Sequence, residues 1–182
     1  MRKLLATILI FALVLTLCAC GDPKEEIVVP VVFDAMSFWN EVDKTTISEA
    51  ELIERLGEPD KVFEHSAESV RESNEIFYYR ALYYNKTESK PSGYLCVYMF
   101  DLETKMLDSI IIEDIEIPYV NKEYILPMFN LKPSWGSKII NDEDVYLVRN
   151  CGVKSFLVRT MDDSPLKVVE ISYTENLLWW RK

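Results

Sequence analysis

A chain of 182 residues with 30 acidic and 20 basic side chains carries a formal charge of −10, and so is a poor partner for nucleic acid, whose phosphates are bound by cationic patches. The same balance argues against electrostatic adsorption to anionic lipid. With 49% hydrophobic residues, 5 glycines and no low-complexity tract, the chain reads as one packed globular domain or two small ones.

The chain opens with basic Met1-Arg2-Lys3 and continues into uncharged LLATILIFALVLTL. A basic start, an apolar run and small residues near a cut site describe a secretory signal. The run lies at the low edge of the ~17–25 residues that span a bilayer as a helix. Asp22, Glu25 and Glu26 follow it, where a stop-transfer segment would be basic. Within this region LCAC resembles the lipobox of bacterial lipoproteins: an aliphatic residue, a tolerant position, a small residue and the lipidated cysteine. Cys20 fits, with Ala19 before it and Leu17 three before; Cys18 is preceded by Leu17, which is too large. The resemblance implies a cleaved signal peptide over 1–19 and lipidation at Cys20. It also implies a lipid-anchored place on the extracytoplasmic face of the cell membrane, the alternative being an ordinary signal peptide with incidental cysteines; the composition that follows reads as a tether over 20–32 and a globular α+β domain over 33–182. One acyl chain binds a membrane only marginally, and the palmitate-type diacyl anchor supplies two.

In chain order, FDAMSFWNEV (33–42) is either a short helix or an extended segment that brings Phe38 and Trp39 into the core. TTISEAELIERLGEPD (45–60) is the first clear helix. Ser48 and Glu51 form a capping box, and Leu52, Ile53 and Leu56 make an apolar stripe. Gly57 suits a left-handed terminus, and Pro59 prevents continuation. EHSAESVRESN (64–74) reads as a loop. EIFYYRALYY (75–84), YLCVYMF (94–100) and KMLDSIIIEDIEI (105–117) read as strands, the last two a hairpin around DLET. NKTESKPSG (85–93) joins the first to the hairpin. The second half repeats this order. NKEYILPMFNLKP (121–133) is a helix shortened by Pro127, and DVYLVRN (144–150), KSFLVRTM (154–161) and LKVVEISY (166–173) are strands. The expected fold is α+β: an antiparallel sheet with short helices packed on one face. It is built either as two tandem helix-plus-three-strand units, with halves 33–117 and 118–182, or as one continuous sheet with a late insertion.

ELIERLGEPDKVF, followed by IFYYRALYY and YLCVYMFDLETKMLDSI, resembles the SmpA/OmlA (BamE-like) and beta-lactamase-inhibitor-protein-like group. The matching positions are Leu56, Gly57, Pro59, Tyr78, Tyr79 and Phe100, within residues 45–115. The resemblance implies a small α+β, envelope-facing lipoprotein that binds protein. The glycine that precedes a small capping residue in that group is absent here, and the 64–74 loop is long. No partner-binding motif matches, so the outer-membrane assembly role is not carried over.

Signals for catalysis are sparse. His65 is the single histidine and sits in FEHSAES. Ser66 and Ser69 are near, but no G-x-S-x-G elbow exists, so a solvated histidine is the simpler reading. Cys96 and Cys151 remain after processing; they are read either as a disulfide, since a non-cytosolic compartment favours bridging, or as two buried thiols. Two cysteines and a remote histidine lack metal-ligand spacing. NDED (141–144), DD (162–163) and EDIE (113–116) lack the spacing of a calcium loop and read as solvated turns and strand ends. No catalytic residue, metal or cofactor is therefore expected. The aromatic strand carries Phe77, Tyr79, Ala81 and Tyr83 on one face and Ile76, Tyr78, Arg80, Leu82 and Tyr84 on the other. Tyr and Arg are enriched at interfaces, so Tyr78, Arg80 and Tyr84 are candidate partner-binding residues, the alternative being a second packed layer. Trp179 and Trp180 in LLWWRK are further candidates, or a docked tail. The expectation is a non-catalytic lipoprotein of the cell envelope that binds another envelope protein. The rivals are a ligand- or solute-capturing module, with a deep apolar pocket, and a cell-wall hydrolase, with convergent carboxylates in a cleft.

Overall fold

In a computed structural model the chain is described over residues 29–68, 76–84, 95–117, 122–134, 137–142, 145–160 and 166–174. Ser48 starts helix α1 (Glu49–Leu56) through a closed capping box: its backbone N–H donates to Glu51 Oε2 at 2.7 Å, and its Oγ accepts from the Glu51 N–H at 3.4 Å. Gly57 ends the helix with φ 81° and ψ −174°, while its N–H donates to the Ile53 carbonyl at 2.8 Å. That backbone region is open essentially to glycine alone, and it is not the left-handed helical well expected for this position.

The helix is shorter than 45–60. Upstream of it Thr45–Thr46 (β2) pairs antiparallel with Trp39–Asn40 (β1), because a capped start at Ser48 leaves the threonines outside the helical ladder. Ala35–Phe38 is a 3-10 turn whose first amides are met by Asp34, so 33–42 is helical first and extended second. The second helix, α2 (Lys122–Met128), carries Pro127 in its last turn. Its Met128 carbonyl accepts from Val32 and Phe33, which ties the incoming chain to the helix end.

The remaining strands are β3 (Lys61–Glu68), β4 (Ile76–Tyr84), β5 (Leu95–Asp101), β6 (Leu107–Glu116), β7 (Lys138–Asp142), β8 (Val145–Arg149), β9 (Ser155–Thr160) and β10 (Leu166–Ser172). They form one antiparallel eight-stranded sheet in the order β3-β4-β5-β6-β10-β9-β8-β7. The fold is thus α+β, dominated by sheet. Among the described residues four strands, not three, follow each helix. β3 occupies part of the stretch expected to be a loop, since all eight of its residues pair with β4, from Lys61 opposite Tyr83 to Glu68 opposite Ile76. β7 is likewise an additional strand, paired along its whole length with β8. Both are edges, where side chains meet solvent and weak alternation is tolerated.

One face of the sheet holds the main core. Leu52 of α1, Ile125 and Leu126 of α2, and Phe38 of the 3-10 turn pack with Leu82, Tyr98, Ile112 and Phe156. Each fully buried Leu or Ile contributes on the order of 2 kcal/mol. Tyr173, at the end of β10, donates its hydroxyl to the Ala35 carbonyl at 2.6 Å and stacks on Trp39 at 6.4 Å, closing this layer. The opposite face carries a smaller cluster of Tyr79, Ala81, Val97, Met99 and Ile111, to which no described helical residue contributes.

Candidate functional site

β4 displays both faces of the sheet, and the structure assigns them oppositely to the sequence expectation. Leu82 and Tyr84 point into the main core beneath the helices, so the Arg80 face is the packed one. Tyr84 is buried, and its hydroxyl donates to the Gly57 carbonyl at 2.9 Å. Burial, with Glu58, Glu49 and Asp60 nearby, pushes its phenol up to about 12. Tyr84 is therefore a structural bolt from β4 to the end of α1, and not a contact residue for a partner. Arg80 stays half-buried at the rim of this face. Its Nε donates to Glu49 Oε1 at 2.9 Å, and its Nη1 approaches Glu64 Oε1 at 3.3 Å. The hydrogen bond and charge of Glu49 lead in holding its guanidinium protonated, so Arg80 joins α1, β3 and β4. Tyr78 alone of the three is well exposed, at 58%.

The exposed aromatic residues gather at the β3–β4 end of the sheet. Phe63 of β3 is 48% exposed; its ring meets Tyr83 edge-on at 5.4 Å and lies 6.0 Å from His65. Phe63 stands opposite Ala81 and His65 opposite Tyr79, which places both on the smaller-cluster face. His65 is thus an exposed strand residue and not a loop residue. Val62 and Tyr78 extend the apolar surface around the other side of the same edge. Cys20, Trp179 and Trp180 lie outside the described residues.

Away from that edge, the smaller-cluster face hides polar groups that the sequence reading missed. Glu170 stands between Ile111 of β6 and Leu157 of β9, and Ser172 between Ser109 and Ser155. Asp108 is the extra residue where β6 bulges against β5, since Met99 pairs with Ser109 and Phe100 with Leu107. Glu170 is 2% exposed and Asp108 3%. Tyr79 Oη, Asp108 Oδ2, Ser155 Oγ and Glu170 Oε1 are buried and have no hydrogen-bond partner among the described residues. Asp108 Oδ1 does accept from Thr174 Oγ1. Burial raises the Glu170 carboxyl to about 7, with Asp108 adding to the rise and Arg159 opposing it. Burial also raises Asp108 to about 6, against hydrogen bonds from Thr174 and Ser109. Tyr79 is raised by burial first and by these two acids second, so the three groups form one electrostatic cluster. The signal was an acid inside an otherwise apolar strand, at VVEIS and again at MLDSI.

Cys96 and Cys151 are both buried, and no disulfide joins them. Cys151 Sγ is 3.8 Å from the Val148 carbonyl, and burial pushes its thiol up to about 11, which disfavours the thiolate. Among the described residues no group of three His, Cys, Asp or Glu side chains could hold a metal ion. No described helix is long and apolar enough to cross a membrane. Two surface cavities line the Trp39 region. One, of about 500 Å³, is bordered by Asn40, Thr46, Glu51 and Arg55; the other, of about 300 Å³, by Ser134, Asn150, Lys154 and Tyr173. Both are open; the larger is lined mainly by polar groups and the smaller by polar and apolar groups about equally. Comparison with protein-family models, with curated proteins and with solved structures returns no match, so the reading of this surface rests on its own geometry.

Proposed function

We propose that the chain is a lipoprotein anchored through Cys20 on the extracytoplasmic face of a membrane, and that it binds another envelope protein without catalysis. The observation that carries the binding role is the aromatic edge. Phe63 packs with Tyr83 on one face, and Tyr78 and Val62 are exposed on the other on either side of the Glu64–Arg80 pair, so the β3–β4 end shows apolar and hydroxylated groups on both of its faces. Tyr-rich surfaces of this composition are typical of protein interfaces. The cavities are open to solvent and neither is a deep apolar pocket, which favours this over capture of an apolar solute. The two acids with raised proton affinity are buried and line no described cavity, which favours a binding role over hydrolysis. We also infer that the two helix-then-four-strand halves are tandem units, on the ground that their strand orders mirror each other about the β6–β10 pair.

The test is affinity capture from the protein's own membranes, followed by mass spectrometry. Cys20→Ala should lose membrane attachment. Phe63→Ala and Tyr78→Ala should each weaken capture roughly ten-fold or more while leaving the thermal midpoint nearly unchanged. Undiminished capture by the folded double variant would place the contact surface elsewhere.

A further inference from the structure

The two edges of the sheet differ in how they meet solvent. β3 carries Lys61, Glu64, His65 and Glu68 along its eight residues, the kind of charge pattern that discourages a second strand from adding on. β7 reads KIIND: its only charges, Lys138 and Asp142, stand at its ends, with two isoleucines between them. Ile139 is 43% exposed and Ile140 51% exposed. All five residues of β7 pair with β8 on the inner side, and among the described residues no strand pairs with the outer side.

We propose that this edge is a self-association site, at which β7 of a second copy of the chain adds antiparallel about a two-fold axis through Ile140. The charge order of the strand selects this arrangement. An antiparallel register centred on Ile140 sets Ile140 opposite its own copy and Lys138 opposite Asp142, twice by symmetry. Opposite charges directly across a ladder are favourable, and like charges are not. A parallel alignment would set Lys138 beside Lys138 and Asp142 beside Asp142. A one-residue slip toward Ser137 would lose both opposite-charge positions, and a slip the other way, which sets Lys138 opposite Glu143 beyond the end of β7, would shorten the ladder. The contact is isologous, so it closes at two copies and does not propagate into a fibre. The result is one continuous sheet of twice the strand number, with the aromatic β3–β4 edges at its two far ends. The inference is independent of the lipid anchor and of the partner-binding reading.

Sedimentation equilibrium of the full chain in detergent, at rising protein concentration, tests it. The wild-type chain should dimerise. Lys138→Asp leaves acid at both ends of β7, and Asp142→Lys leaves base at both ends; each alone should dimerise roughly ten-fold more weakly or worse. Mixed one to one, the two variants should regain the dimer, because every facing position again carries opposite charge. Circular dichroism checks that both remain folded, and the regained dimer is itself a control for folding. A monomeric wild-type chain, an undiminished dimer in either single variant, or a mixture that stays monomeric would each overturn the proposal.

Discussion

Glu170 makes stability depend on pH with a definite sign. An ordinary glutamate titrates near 4.5, and in the fold Glu170 does so at about 7. Below about pH 4.5 both folded and unfolded chains hold the proton. Between about 4.5 and 7 the folded chain holds it and the unfolded chain does not, so stability falls as pH rises through that window. At about 1.4 kcal/mol for each pH unit between the two values, the loss is about 3 kcal/mol. For a chain of this size that lowers the thermal midpoint by on the order of 10 °C. Asp108, raised to about 6, acts in the same direction. Melting by circular dichroism at pH near 5 and near 8 is the assay. The wild-type chain should melt lower at the alkaline end, and Glu170→Gln should remove most of that difference, since the amide fills the same space without ionising. General repulsion within an acidic chain affects both proteins nearly alike and cancels in the comparison. A wild-type midpoint that is flat with pH, or an unchanged slope in Glu170→Gln, would refute the reasoning.

Gly57→Val should destabilise by about 1–3 kcal/mol in urea unfolding, because φ 81° with ψ −174° is strained for any side chain even though no atom stands within 4 Å of the added Cβ. Tyr84→Phe should cost about 1 kcal/mol by the same measurement, as it deletes the hydroxyl bond to the Gly57 carbonyl and leaves the ring in place.

Local chemistry was legible where one residue type has one task. Ser48 with Glu51 announced the start of α1, and Gly57 its end, because caps depend on neighbours within a turn. The aromatic and β-branched runs of β4, β5, β6, β8, β9 and β10 were readable for a similar reason. β3 and β7 were not, because an edge strand is held by backbone pairing on one side, and Glu64, His65 and Asn141 look like loop residues. The packed and open faces of β4 are not distinguished by its sequence, because both are apolar. Arg80 suggested solvent, yet Glu49 and Glu64, remote in sequence, supply its counter-charges at the rim of the packed face. Glu170 is not marked as buried by its sequence, since an acid in a strand is ordinarily turned to water. Only the pairing of β10 between β6 and β9 places it inside.

The meeting of the two meanders at β6 and β10 has a bearing on biogenesis. β6 is complete when about two thirds of the chain has been made, but its neighbour β10 is, among the described residues, the last strand to be synthesised. Until then the Ile110-Ile111-Ile112 run is an uncovered, strongly apolar edge. Such an edge recruits foreign strands, so the growing chain passes through an interval of aggregation risk that ends only with the final residues of β10. A nonsense change late in the gene, even one that spares every residue of the first meander, would turn that interval into a permanent state.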